Sequence, residues 1–501
     1  MTRSFNLIDQ PWIPVADVGR VSLQQLFTEP AYAQLGGNPV QKIALMKLLL
    51  SIAQAAYTPT DQDEWLTLGS DGLAQKCLAY LDQWSDRFDL YGEKPFLQMP
   101  AIAAAKVQSY GAVLADIAAG NTTVLTQSQV EQPLDDANKA LLLVTLMGFA
   151  LSGKKTDNSI VLTKGYAGKT NDKGKPASGS AGPAVAHMGL LHSLLLGSSV
   201  QETIWLNLFT QEQISKKNAY AQGVGVAPWE EMPTGEDCPV AQRLKSSLHG
   251  RLVPISRFCL LTDAGLHYSE GIAYAGYKEG AIDPSVAINH AAKEPKALWC
   301  NPEKRPWREL TSLLGFIEQS GSQGFQSWQV SANLDRIRDV KSASKVGLWS
   351  GGLSVSSNAG EQYVSGQNDY VESVVWLDSN QLGATWLTNL KQEMKAIEES
   401  LANNLYGRVS GFFKDQKVDG KNLAAQATAQ FWQMVERDFQ TLVDHCENDD
   451  ESIKERDRLR MRFAGYTQRI YDQFCPKDSA RQLDAWARNR PNTSKYLKKE
   501  S

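Results

Sequence analysis

The six residues G-Y-A-G-K-T at 165–170 come nearest, in this chain of 501 residues, to a loop that could hold a phosphate. A Walker A loop reads G-x-x-x-x-G-K-[ST] and runs into a helix whose first N–H groups cradle the phosphates. Its first glycine would stand at 163, which is Thr163, and the residues that follow, N-D-K-G-K-P-A-S-G-S-A-G-P, break helices rather than start one. Nucleotide binding by a P-loop is therefore not expected. Hydrolysis has no better footing, since neither G-x-S-x-G nor H-E-x-x-H occurs and none of the six histidines is followed by aspartate. His187 and His192 stand in an apolar run and read as core histidines. The six cysteines form no C-x-x-C, which excludes a zinc ribbon or a thioredoxin-type site. Cys77 shares an apolar face with Leu73, Leu81, Trp84 and Phe88 and reads as packing. No catalytic residue, metal or cofactor is assigned.

What the same stretch can do is bind. Residues 154–175 carry six lysines against two aspartates in a glycine-rich setting. Glycine lets a backbone approach a ligand closely, and lysines supply the attraction and counterion release of phosphate binding. A solvated linker with lysines for solubility explains the composition equally well. A second basic zone, K-E-R-D-R-L-R-M-R, lies at 454–462. Residues 453–499 hold 13 Lys/Arg and 5 Asp/Glu, a net of +8 in a chain whose total is −4. Such segregation favours a nucleic-acid face. Arg456 and Arg460 share one helical face, and Arg462 lies in the same run. The bland reading is a solvated face of a bundle.

The elements that must carry these residues follow from hydrophobic spacing. With 42% hydrophobic and 21% charged residues the chain is globular, and its length allows two or three domains. S-F-N-L-I and W-I-P-V-A-D read as short strands. Residues 41–57 are apolar nearly all round and predict a buried helix, and 71–91 predict an amphipathic one. Residues 152–183 form the longest polar section, a length that marks a functional or disordered loop. Short strand-like runs (R-L-V-P-I-S-R-F-C-L-L-T-D, K-A-L-W-C, V-E-S-V-V-W-L-D) and glycine turns fill 211–380. After that, Leu387, Leu390, Met394, Ile397, Leu401 and Leu405 alternate by threes and fours. Two more stripes follow, Phe431, Val435, Phe439, Leu442 and then Leu459, Phe463, Tyr466, Ile470, Phe474, with a shorter helix around Leu483 and Trp486. The expected architecture is α+β: a large, irregular mixed domain over 1–377 and a C-terminal four-helix bundle over 378–501. The N-terminus lacks an apolar signal core, and the longest apolar runs, such as 140–151, are too short to span a bilayer, so a cytoplasmic protein without a membrane partner is expected.

Several blocks together resemble the CasA family, the large subunit of the type I-E CRISPR surveillance complex Cascade. They are N-L-I-D-Q-P-W-I-P-V (6–15), E-K-P-F-L-Q (93–98), G-L-L-H-S-L-L-L-G-S-S-V-Q-E-T-I-W-L-N-L (189–208) and F-W-Q-M-V-E-R-D-F (431–439). The resemblance spans essentially the whole chain and implies a DNA-binding subunit rather than an enzyme. It implies recognition of a protospacer-adjacent motif (PAM) in double-stranded target DNA, largely from the minor groove. It also implies a wedge that helps to start strand separation and R-loop formation, and a docking surface for a helicase-nuclease in antiviral defence. The implied partners are crRNA within the complex and the backbone, crRNA-end-capping and small subunits.

Residue by residue, the family's glycine-rich minor-groove loop precedes the L-L-L-G block. That makes Gly165, Gly168 and Gly174 candidates for close approach, with Lys169, Lys173 and Lys175 for phosphates. A family lysine that enters the minor groove corresponds to Lys278 in Y-A-G-Y-K-E-G. The wedge follows a Gly-Gly turn, here Gly351-Gly352, with Ser356, Ser357 and Asn358 near it and Gln362 further along a loop longer than in relatives that carry glutamine at the tip. The family's bundle holds DNA, which brings in Arg456, Arg460 and Arg462. Two other readings stay open on the residues alone. One is an enzyme acting on a phosphorylated or nucleotide substrate under a 152–183 lid. The other is an assembly scaffold whose basic bundle serves protein contacts only.

Overall fold

The computed structural model describes residues 3–114, 133–149, 162, 189–280, 283–318, 324–340, 345–355 and 369–497. The chain divides into two compact units, Met1–Leu313 with Ser322–Val374 and Leu314–Gly321 with Val375–Ser501.

The first unit opens with an antiparallel hairpin, β1 (Ile13–Val15) and β2 (Gly19–Val21), turned by Asp17 and Gly19 at positive φ. S-F-N-L-I forms no strand; Asn6 makes only an isolated bridge to Asp89. Helix α1 (Leu23–Thr28) starts at a Ser22/Gln25 capping box. Helix α2 (Pro39–Ala56) starts at another, Asn38/Gln41, with proline in its first turn. Fourteen of its 18 residues are buried, as an all-round apolar helix requires. Helix α3 (Gln62–Gln83) bends at Gly69, where φ is 62°, and buries Leu73, Cys77 and Leu81. It stops before the expected end: Trp84 leaves helical geometry and Ser85–Arg87 tightens into a 3-10 turn. Phe88 therefore reaches the core from outside the helix, stacked on Phe96 at 5.0 Å.

Strand β3 (Val107–Gln108) and helix α4 (Asp136–Phe149) follow, then β4 (His192–Leu196) and α5 (Val200–Asn207). Short helices α6 (Gln211–Ser215), α7 (Pro239–Lys245) and α8 (His249–Leu252) lead to strands β5 (Arg257–Leu261) and β6 (Leu266–Glu270). Strands β7 (Ile288–Asn289) and β8 (Lys296–Ala297) form a small ladder before α9 (Leu310–Leu313) and α10 (Trp328–Val340). Two long strands, β9 (Lys345–Leu353) and β10 (Tyr370–Asp378), complete the sheets, which are ordered β10-β9-β4 and β3-β6-β5.

The β4–β9 pair is antiparallel, from His192 opposite Gly351 to Leu196 opposite Gly347. Nearly every residue of both strands is buried, which is why the L-L-L of β4 does not alternate with polar residues, while the buried His192 and Ser193 pair with Ser285 and Ser350. The expected Gly351-Gly352 turn is corrected here: both glycines lie within β9 and neither has positive φ. Gly351 is needed for packing, because a Cβ there would stand 2.7 Å from the Trp349 ring and 2.9 Å from the Val371 carbonyl oxygen. Gly352, one of the expected wedge residues, is a buried strand residue.

A charged network is buried beneath this sheet. Lys47 Nζ on α2 pairs with Asp283 Oδ2 at 2.6 Å and donates to the Arg251 carbonyl at the end of α8. Asp283 Oδ1 accepts from Ser285 N and Oγ, and Ser285 Oγ is 2.8 Å from His192 Nδ1 on β4. Burial alone would raise the Asp283 carboxyl, but Lys47, His192 and these hydrogen bonds hold it below the usual range.

In the second unit the expected stripes meet as a helical bundle. Helix α11 (Ala384–Ala396) passes through a π-helical turn, Ile397–Ala402, into α12 (Asn403–Asp415). This helical run extends ten residues beyond Leu405, because Val409 and Phe412 continue its buried stripe. Helix α13 (Lys421–Asp444) packs on both α12 and α14 (Asp450–Phe474), α15 (Ala480–Asn489) returns to α12, and a final turn, α16 (Ser494–Leu497), covers α14.

Candidate nucleic-acid interface

Antiparallel pairing puts the start of β4 and the end of β9 at the same edge of their sheet. The chain therefore arrives at β4 from the Gly/Lys segment and leaves β9 toward the expected wedge at one place. Gly189, three residues before β4, marks the arrival. Its carbonyl accepts from Cys300 N at 2.8 Å, and Leu191 N donates to the Leu298 carbonyl at 2.9 Å. Val355, two residues after β9, marks the departure, where Ser354 N donates to the Asp369 carbonyl at 2.9 Å. A Cβ on Gly189 would lie 2.7 Å from Val355 Cγ2 and 2.9 Å from Trp299 Cε3, so no larger residue fits between them without movement.

The third expected contributor comes to the same edge. Leu190, Val286, Ile288 and Ala297 make a small apolar cluster on which half-buried Tyr277 packs. The next residue, Lys278, stands on the 3-10 turn Tyr277–Glu279, which Glu279 closes by accepting from Gly276 N and which ends at Gly280 in left-handed geometry. The Lys278 side chain is 61% exposed and meets Glu294 at 3.7 Å, an exposed ion pair of small energetic weight. The candidates Gly165, Gly168, Lys169, Lys173, Gly174 and Lys175 lie outside the described residues, as do Ser356, Ser357, Asn358 and Gln362. Sequence reasoning missed Gly189 and Trp299. Gly189 carried a signal, since it stands where the polar segment meets the apolar block. Trp299 carried none: in A-L-W-C its neighbours Leu298 and Cys300 are buried while it is 45% exposed.

The three bundle arginines have different placements. Arg456 is buried, and its Nη1 donates to the His445 and Glu447 carbonyls just past α13. Arg460 grips Glu393 with two nitrogens, and Glu393 is 3% exposed. These two serve the bundle's own interior, because four-residue spacing puts them on the same inward-leaning face. Arg462 is about half exposed and pairs with Asp438, which also accepts from Tyr466 Oη. The outward basic stripe of α14 is Arg458, Arg462 and Arg469, all exposed and spaced by four and seven. Beside it in sequence, Trp486 on α15 carries Lys477 and Arg490, each 4.7 Å from its ring centroid.

The described residues contain no cluster of His, Cys, Asp and Glu able to hold a metal ion. All six cysteines are free and buried, and burial pushes Cys259 up to about 12. His249, against Ser51 Oγ at 2.7 Å, is pushed down to about 3 by burial. Among the described residues no helix is long and apolar enough to cross a membrane. Among the described residues this edge carries the exposed Lys278, Gly189 packed against Val355 and Trp299, and the part-exposed Trp299.

The family model for CRISPR-associated protein Cse1 matches residues 6–470. CRISPR-associated protein CasA/Cse1 of Thermus thermophilus is 28% identical over 335 residues, covering 62% of this chain and 60% of that protein. The chain thus matches about 60% of the length of that curated relative. The crystal structure of Thermobifida fusca Cse1 superposes with a TM-score of 0.77 at 20% identity, covering 99% of this chain and 98% of that one. A chain of a CRISPR RNA-guided surveillance complex superposes at 0.69 and 16% identity, covering 99% and 100%. At those identities the superpositions speak for the fold, and the family match speaks for descent: the chain belongs to the Cse1 family of CRISPR-associated proteins.

Proposed function

We propose that this chain is the large subunit of a crRNA-guided surveillance complex. In this reading it recognises a PAM in double-stranded DNA, helps to start unwinding and R-loop formation, and offers the docking site for a helicase-nuclease. It binds DNA rather than transforming it. The observation that carries the reading is the meeting of three segments, distant in sequence, at one edge of the β4–β9 pair: the end of the Gly/Lys segment at Gly189, the Lys278 turn, and the root of the expected wedge at Val355. A minor groove presents a degenerate edge pattern, so reading it calls for small residues, backbone and lysine in a narrow space. The exposed Arg458–Arg462–Arg469 stripe gives the bundle a phosphate-facing surface in the same scheme. Support for assembly into a larger complex comes from the fold shared with a chain of a guided surveillance complex.

The test is a salt titration of duplex binding with Lys169, Lys173 and Lys175 changed together to glutamate. Each lost phosphate contact removes about 0.9 from the slope of log K against log salt, so the slope should flatten by up to about 2.7. Wild-type affinity with an unchanged slope would remove the loop from the interface.

A further inference from the structure

The Lys278 turn is short and makes few bonds of its own. Glu279 N and Gly280 N donate to the Gly276 and Tyr277 carbonyls, and the Glu279 carboxylate accepts from Gly276 N. Its hold on the rest of the unit comes through Tyr277, packed on Leu190, Val286, Ile288 and Ala297. Val286 is itself placed by its neighbours: it bridges to His192 on β4, and its N–H donates to the Asp283 carbonyl at 3.2 Å. Ser285, beside it, is fixed at every polar atom. Its N and Oγ donate to Asp283 Oδ1 at 3.1 and 2.8 Å, its carbonyl accepts from Ser193 N at 2.8 Å, and Oγ lies 2.8 Å from His192 Nδ1. Asp283, Ser285 and His192 are all buried.

The direction of these bonds follows from the charge. Asp283 is ionised against Lys47 and only accepts, so the single Ser285 hydroxyl proton points to it. His192 Nδ1 then carries the proton that Ser285 Oγ accepts. Each group has one role, and loss of the hydroxyl takes an acceptor from His192 and a donor from Asp283 in a buried place.

We infer that Asp283, Ser285 and His192, anchored by Lys47, are positioning residues for DNA contact: they hold Val286 against Tyr277 and so set where Lys278 stands beside the entry to β4. This inference rests on the DNA-binding reading above and deepens it, since buried groups then govern the strength of a contact they do not make. A lysine on a loosened turn keeps its charge but has to be ordered when DNA binds, which costs affinity.

The experiment uses the full chain and one duplex, the tightest that wild type selects from a pool randomised over a short window. Affinity is measured across a salt series for wild type, Lys278→Ala, Ser285→Ala and the double variant. Lys278→Ala should flatten the slope of log K against log salt by about 0.9. Ser285→Ala should weaken binding about threefold to tenfold, and the double variant should bind no more weakly than Lys278→Ala alone. A role in stability only would instead make the two losses add, and that result overturns the inference, as does wild-type affinity in Ser285→Ala. Should Ser285→Ala not fold, His192→Leu enters the same cycle with the same expectation. His192→Asn, whose amide can donate where Nδ1 did, should recover most of what His192→Leu loses; equal loss in both would assign the effect to ring volume and overturn the inference. Lys278→Ala with wild-type affinity and slope removes Lys278 from the interface, so that the DNA reading of this turn fails and the inference with it, an outcome distinct from additive losses.

Discussion

Replacing Lys47 by methionine should be among the most damaging single changes in the first unit, although the residue is far from any expected DNA contact in sequence. The Lys47 and Asp283 side chains are 2% and 3% exposed, with 2.6 Å between Nζ and Oδ2. Methionine keeps most of the stem's volume, so the cavity contribution is small and the loss is electrostatic. Removing one partner of a buried pair leaves the other charge uncompensated, at about 3–5 kcal/mol. Ser285 continues to donate twice to Asp283 Oδ1, which places the expected cost near the lower end, about 3 kcal/mol. The double change Lys47→Met with Asp283→Asn removes both charges and keeps an acceptor for Ser285, so it should recover a large part of that loss. Acid sharpens the test. The Asp283 carboxyl is held below the ordinary value, so its contribution is present above an unfolded pKa of about 3.9 and is lost as pH falls through the folded value. In Lys47→Met the unpaired buried carboxyl is instead easier to protonate, and the stability gap to wild type should be widest at neutral pH and narrow toward pH 4. Urea unfolding followed by tryptophan fluorescence at several pH values measures this. A single-variant cost under about 1 kcal/mol, or a double variant as damaged as the sum of its singles, would refute the reasoning.

Two further outcomes follow from buried charge and burial alone. Glu393→Gln removes the countercharge of Arg460 and weakens that of Arg456, 3.9 Å away, and should cost the bundle about 2 kcal/mol, whereas Arg458→Gln, at a side chain 70% exposed, should cost less than about 0.5. Equal thermal midpoints for the two variants would show that the inward arginines carry no structural load. His249 titrates near 3 when folded, so its neutral form adds stability above the unfolded value near 6.5 that is lost at about 1.4 kcal/mol per pH unit as pH falls toward 3. The pair Ser51→Ala with His249→Leu should flatten the stability profile between pH 7 and 5, and an unaltered slope would assign that pH dependence elsewhere.

Local spacing made much of the fold legible. Threes and fours locate the bundle helices because an amphipathic helix has one way to bury its stripe, and the all-round apolar 41–57 run announces a central helix for the same reason. The capping boxes at Ser22 and Asn38 that fix where α1 and α2 start came from the structure, since hydrophobic spacing does not report them. Block resemblance pointed to the family. Tertiary packing decided the rest. Whether Gly351-Gly352 is a turn or a strand depends on the Trp349 ring and the Val371 carbonyl beside it, neither of which periodicity reports. Arg456 and Arg460 look as basic as Arg458 and Arg462, yet about half a turn of helix separates carbonyl and Glu393 partners from solvent. No local signal says that Gly189, Trp299 and Val355 meet, because their meeting is set by the antiparallel register of β4 and β9 and by the bridge that joins Leu190 to Trp299. A sequence records which side chains can bind a phosphate or stack on a base; the register of distant strands chooses which of them stand together.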